Sequence, residues 1–289
     1  MNVIIIFILL LLFVGCKTAE IPFEFDNEQN RIPSVMLSFS RITYTDRKSV
    51  EMKFAIDTGC YISTFYNNAL KKLFYTEKEF DTFINNFCEQ EKVNRDDLEK
   101  SVAMYISIPK IRCGTYEFKK IRFENTSFVS ENFDGLLGYE VFKNFGVMVL
   151  DFRKNVLILG KRIVNMQNSV PIQIKKVEFG SLKTYFLSIP VEIDGRTCDV
   201  ILDTGYSSKG KPSVLTAASI DFPDEVCVKI GSFLYENVSR NKWTDGTFAN
   251  TNMQEIAECL FQEIFILGNA FFQNHRIQLD FENMTFAMD

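Results

Sequence analysis

The feature that most constrains this chain of 289 residues is an internal repeat built around one tripeptide. Asp57-Thr58-Gly59 and Asp203-Thr204-Gly205 each end an apolar, strand-like run. Two such runs precede the first copy, at residues 34–44 and 49–56, joined by the polar turn Thr45-Asp46-Arg47-Lys48. Runs at 184–193 and 197–202 precede the second, joined by Asp194-Gly195, a strong hairpin signal. Downstream, Phe133-Asp134-Gly135-Leu136-Leu137-Gly138 leads through a short helical stretch at 139–144 to Val147-Met148-Val149-Leu150-Asp151-Phe152. Ile264-Phe265-Ile266-Leu267-Gly268, residues 269–273 and Arg276-Ile277-Gln278-Leu279-Asp280-Phe281 repeat that order. The span from Asp57 to Gly138 is 81 positions and that from Asp203 to Gly268 is 65, so the first half carries an insertion. Two copies of one strand-rich unit predict two related β lobes.

A carboxylate at the point where a buried strand breaks into a turn needs a reason. For a single copy, ordinary turn chemistry suffices, because Asp and Gly are common turn residues. Two copies in matched surroundings point to two carboxylates brought together. Such a pair cannot ionise freely, because like charges repel, so over a broad pH range it shares one proton. The ionised partner can then take a proton from a water while the protonated one donates to a carbonyl oxygen, with no covalent intermediate. Gly59 and Gly205 suit this arrangement, since a residue without a side chain lets two loops approach closely.

The pattern resembles the aspartic peptidases of the pepsin and retropepsin type over nearly all of the chain after its leader. The resemblance implies a mainly β, bilobal fold in one chain, so that no second subunit is needed and the protein acts as a monomer. It implies that Asp57 and Asp203 form the catalytic dyad of an endopeptidase whose substrate is a polypeptide. Thr58 and Thr204 would hydrogen-bond across the lobe junction, and Gly59 and Gly205 would complete the supporting loops. Two positions depart from the pepsin branch. Cys60 and Tyr206 stand where that branch usually has Ser or Thr, and a thiol is a weak donor. The retropepsin branch commonly has Ala there, which favours a less acidic pH optimum. A pepsin-like flap signature is also missing. Residues 67–101 instead form a charged stretch with Phe80, Phe83, Ile84 and Phe87 at helical spacing, read as a helical hairpin inserted in the first lobe and capping it. Tyr105 and Tyr116 are the candidates for a flap tyrosine.

Residues 3–14 are an unbroken apolar run, too short to span a bilayer and of signal-peptide length. Leu12-Phe13-Val14-Gly15-Cys16 resembles a bacterial lipobox, with Cys16 as the lipidated residue. Simple cleavage after Cys16 is the alternative. Either way the mature chain is exported, in the first case as a lipoprotein anchored to a membrane in the periplasm or at the cell surface. The expected organisation is a leader at 1–16, a polar tether at 17–32, a first lobe at 33–165 and a second at 166–289.

No cofactor or metal is expected. A single histidine, His275, rules out His-based metal clusters, and there is no Cys-x-x-Cys. The net charge of -5 without a basic run argues against nucleic acid. Six cysteines beyond Cys16, three per lobe, permit disulfides without fixing their pairing. Two functional readings follow. One is an aspartic endopeptidase acting on exported polypeptides. The other is a catalytically impaired, peptide-binding lipoprotein of the same fold, favoured by Cys60, Tyr206 and the missing flap.

Overall fold

The computed structural model describes residues 18–41, 49–95, 104–126, 130–163, 168–179, 182–207, 210–216, 221–242 and 265–289. Two lobes of identical topology sit on a shared sheet. The first comprises β2 (Glu24–Phe25), β3 (Pro33–Ser40), β4 (Ser49–Asp57), β5 (Ser63–Tyr66), β6 (Met104–Cys113), β7 (Tyr116–Thr126) and β8 (Gly135–Gly138). The second comprises β12 (Gln173–Phe179), β13 (Leu182–Ile193), β14 (Arg196–Asp203), β15 (Ser213–Thr216), β16 (Glu225–Ile230), β17 (Phe233–Lys242) and β18 (Phe265–Gly268). The first sheet runs β2-β3-β4-β8-β5-β7-β6 and the second β12-β13-β14-β18-β15-β17-β16. Pairing of β3 with β6, and of β13 with β16, closes each into a ring of six strands. The fold is therefore mainly β and bilobal, of the aspartic-peptidase class, as the repeat implied.

Alternation along the strands explains the closure. β3 buries Val35, Leu37 and Phe39 on one face. With Phe54, Phe65 and Phe123 they fill the first barrel, where the centroids of Phe65 and Phe123 are 4.4 Å apart. Each fully buried ring contributes about 1.5–3 kcal/mol. The second barrel is filled by aliphatic side chains such as Leu187, Ile189, Val200 and Val214. Its β13–β14 hairpin turns through Asp194 and Gly195 with φ of 46° and 77°, the pair of positive values that a type I′ turn demands. The turn expected at Thr45-Asp46-Arg47-Lys48 lies outside the described residues.

Beneath the barrels lies a six-stranded sheet made of β1 (Ala19–Pro22), β9 (Val147–Asp151), β10 (Val156–Leu159), β11 (Val170–Pro171), β19 (Arg276–Asp280) and β20 (Thr285–Met288). Its order, β1-β10-β9-β19-β20-β11, reads the same from both ends once the halves are exchanged. β9 and β19 meet antiparallel at its centre, with Arg276 opposite Asp151 and Asp280 opposite Val147. The boundary expected at residue 165 lies outside the described residues.

One expectation needs correction. The tether at 17–32 is part of the fold. Ala19 to Pro22 pair with β10, and Phe23 is buried against Phe25 and Phe152 at 5.6 and 5.8 Å. Asp26 and Asn27 then fold the next residues back, accepting bonds from the amides of Ile32, Gln29 and Asn30. Apolar residues at 19, 21 and 23 have a covering surface to bury against, which a free spacer would lack. The insertion in the first lobe is helical, as expected: a long helix, Glu77–Glu91, is followed by a further helical residue at Arg95, and residues 96–103 lie outside the described part. Thr76 and Glu79 form a reciprocal capping box at its start. Phe80 and Ile84 are its buried face, packed with Phe74 on the first lobe. No described helix is long and apolar enough to cross a membrane.

Candidate active site

Each Asp-Thr-Gly is placed by a parallel strand pair. β4 runs beside β8 with Asp57 opposite Gly138, and β14 beside β18 with Asp203 opposite Gly268. A β-carbon on Gly138 would stand 2.4 Å from the Tyr61 carbonyl oxygen, and one on Gly268 2.5 Å from that of Tyr206. Glycine is required there because the loop that follows each Asp-Thr-Gly lies directly on the strand end. The next amides fasten the loops: Tyr139 N donates to Cys60 O at 2.9 Å and Asn269 N to Tyr206 O at 3.0 Å.

The two loops meet between the lobes. A β-carbon on Gly59 would fall 2.5 Å from Asp203 Cγ, and one on Gly205 2.8 Å from Asp57 Cγ. Each glycine is thus the space into which the opposite carboxylate fits, and the two carboxyl groups are near enough for each to act on the other's titration. Gly59 N donates to Asp57 Oδ1, and Tyr206 N to Asp203 Oδ1, both at 2.8 Å. Thr58 and Thr204 lock the junction. Thr58 Oγ1 donates to Leu202 O at 2.8 Å and Thr204 Oγ1 to Ile56 O at 2.7 Å. Each hydroxyl also accepts from the other threonine's amide, at 3.1 and 3.2 Å. Four buried bonds across a two-fold arrangement leave the loops little freedom to slide, which is what an aligned dyad needs.

Burial raises the pKa of both carboxyl groups. For Asp57 the bonds from Asp203 and from the loop amides oppose the rise. Asp203 is pushed up further, since the charge of Asp57 adds to burial. The titration belongs to the pair, and its meaning is one proton retained between two oxygen-rich groups into a range where isolated carboxylates have lost theirs.

The positions after the glycines do not feed the dyad with hydroxyl donors. Cys60 Sγ donates to Ile62 O at 3.1 Å, and burial, with both carboxylates nearby, raises its pKa far enough to keep it a thiol. The phenol of Tyr206 accepts from Asn241 Nδ2 at 3.2 Å.

Sequence reasoning missed two contributors. Tyr66, at the end of β5, is held protonated by burial and next by the charge of Asp57, whereas the flap candidates lie elsewhere: Tyr105 lies under Arg122 and Tyr116 packs on Phe118 and Phe145. Its signal was its place nine residues after Asp57, in the strand that follows the loop. Asn30 is the second. Its carbonyl accepts from Asn269 Nδ2 at 2.9 Å and its side chain meets Ser207 Oγ at 3.4 Å, so the folded segment before β3 braces the second lobe's loop. Nothing in its composition signals that. His275 is a packing residue against Phe233, with burial lowering its pKa. Cys60, Cys88, Cys113, Cys198 and Cys227 are free thiols, while Cys16 and Cys259 lie outside the described residues.

No family model and no curated protein sequence matches the chain. Among solved structures it is similar to a retropepsin-like aspartic protease from Rickettsia conorii, at 19% identity and a TM-score of 0.32, over 50% of this chain and 90% of that one. The class defined by the strands is the mainly β, bilobal aspartic-peptidase fold.

Proposed function

We propose that the protein is an aspartic endopeptidase in which Asp57 and Asp203 activate one water between them. The observation that supports this most is the mutual fit of the loops: each carboxylate occupies the space left by the opposite glycine, and both threonines bond across the junction. In the reaction the ionised member of the pair takes a proton from water as it attacks the scissile carbonyl, and the protonated member donates to the carbonyl oxygen. Collapse of the tetrahedral intermediate returns a proton to the leaving amine. Export by the leader and anchoring through Cys16 would place its substrates among exported polypeptides.

A second reading, a peptide binder without turnover, draws on Cys60 and Tyr206, whose side chains give the dyad no hydroxyl donor. One experiment separates the two. The chain from Lys17 onward, beside Asp57→Asn and Asp203→Asn, is incubated with a mixed peptide library from about pH 3 to pH 8. Cleavage lost in both variants is the expected result. Peptide binding without cleavage by the parent would overturn the peptidase reading.

A further inference from the structure

The β6–β7 hairpin has a charge pattern that the peptidase chemistry does not use. In a chain of net charge -5, its two strands carry Lys110, Arg112, Lys119, Lys120 and Arg122 against only Glu117 and Glu124. All five basic residues are exposed. Their placement follows from the backbone: the in-out alternation slips at Pro109 and Lys120, where Lys120 takes a φ of 55°, so adjacent residues on both strands point outward. Lys110 and Lys119 are directly cross-strand partners, an arrangement that destabilises a hairpin unless a counter-charge lies near. Lys110 has one in Glu117, and Arg122 lies 3.8 Å over the Tyr105 ring. Among the described residues Arg112, Lys119, Lys120 and Arg122 form no ion pair.

The internal repeat supplies a control. The corresponding hairpin of the second lobe, β16–β17, carries three basic residues against two acidic ones. There Lys229 is paired with Glu192 and Arg240 with Asp224. The shared fold therefore does not require the excess on β6–β7. Its position gives it a direction. The turn Cys113-Gly114-Thr115 lines a cavity of about 430 Å³ together with Ile21 and Pro22, so the tip of the basic hairpin lies beside β1, the first strand after the apolar leader.

We propose that the outward face of β6–β7 seats the protein on an anionic phospholipid surface. A cluster of Lys and Arg held at a bilayer surface is itself an attachment signal for anionic headgroups. Lys and Arg beside an anionic surface each add attraction that decays within a Debye length. The proposal takes only its geometry from the N-terminal anchoring proposed above; the charged face itself stands without the anchor.

The test uses the chain from Lys17, which contains every described strand, and sedimentation with vesicles of phosphatidylglycerol or of phosphatidylcholine. Binding to the anionic vesicles alone, lost at high salt, is expected. Lys119→Gln, Lys120→Gln and Arg122→Gln together should weaken it at least tenfold, while Lys229→Gln in the second lobe leaves it unchanged. All variants should melt like the parent and keep its peptide cleavage, so that a failure here is distinct from a failure of the peptidase reading. Equal binding to both vesicle types, no binding to either, or binding to polyglutamate without binding to vesicles would each overturn the proposal.

Discussion

Replacing Thr58 by Val keeps the shape of the side chain and removes its hydroxyl. Two groups then lose their partner: the Leu202 carbonyl, 2.8 Å from that hydroxyl, and the Thr204 amide, 3.2 Å from it. Thr58 is 1% exposed and Thr204 is fully buried, so solvent does not reach either group in the closed junction. An orphaned buried donor or acceptor costs about 1–3 kcal/mol, which gives roughly 2–6 kcal/mol for the two. In a protein of this size that lowers the melting temperature by roughly 5–20 °C. Thr58→Ser restores both bonds and should recover most of the loss, staying within about 1 kcal/mol of the parent. Thr204→Val orphans the Ile56 carbonyl and the Thr58 amide and should behave alike. The double variant should cost less than the sum, because water enters once either half of the junction opens. The assay is thermal melting beside peptide turnover. A Thr58→Val protein that melts within about 2 °C of the parent and cleaves as fast would refute the claim that these threonines fix the dyad.

Three further outcomes follow from the site. Asp203 has a raised pKa in the fold, so the stability it contributes is present below its unfolded value and lost as pH rises through the folded one. Asp203→Asn should therefore abolish cleavage yet melt higher than the parent near neutral pH, with the gain shrinking as pH falls toward about 4; a difference that stays constant from neutral pH down to about 4 would contradict this. Since neither Cys60 nor Tyr206 donates a side-chain hydrogen to the carboxylates, kcat/KM should peak above about pH 4. Cys60→Ser, with a stronger donor, should move the acidic limb downward, and a profile that does not move would remove that cause. Phe23→Ala should destabilise by about 3–5 kcal/mol, measured by denaturant unfolding, whereas a free tether would make it neutral.

The sequence showed the fold where the signal was local. Asp194-Gly195 announced its turn, and the two Asp-Thr-Gly loops with Gly138 and Gly268 marked the site, because those positions admit no side chain. Barrel closure was not legible: β3 meets β6 some seventy positions later, a pairing without a local trace. β1 was missed because a four-residue strand in a polar stretch looks like a spacer until β10 is there to cover it. The helix Glu77–Glu91 carries its start signal in Thr76 and Glu79, a capping box readable in advance. The nearness of Tyr66 to Asp57 was not legible because it depends on β5 folding back against β8.

The palindromic order of the lower sheet bears on how the two halves can diverge. In an assembly of two identical chains, any substitution beside one carboxylate appears beside the other, so both acids change together. Here β9 and β19 join the halves edge to edge within one chain, and each loop is free to be altered alone. Cys60 on one side and Tyr206 on the other, Glu140 where the second half has Ala270, and the extra length between Asp57 and Gly138 that holds the helix Glu77–Glu91 are the marks of that freedom. An isolated half would expose the bare edge of its central strand, which a second copy of itself could cover. Keeping both halves in one chain makes the unequal partner the nearest one, and so maintains an asymmetric pair from parts that would otherwise assemble with their own kind.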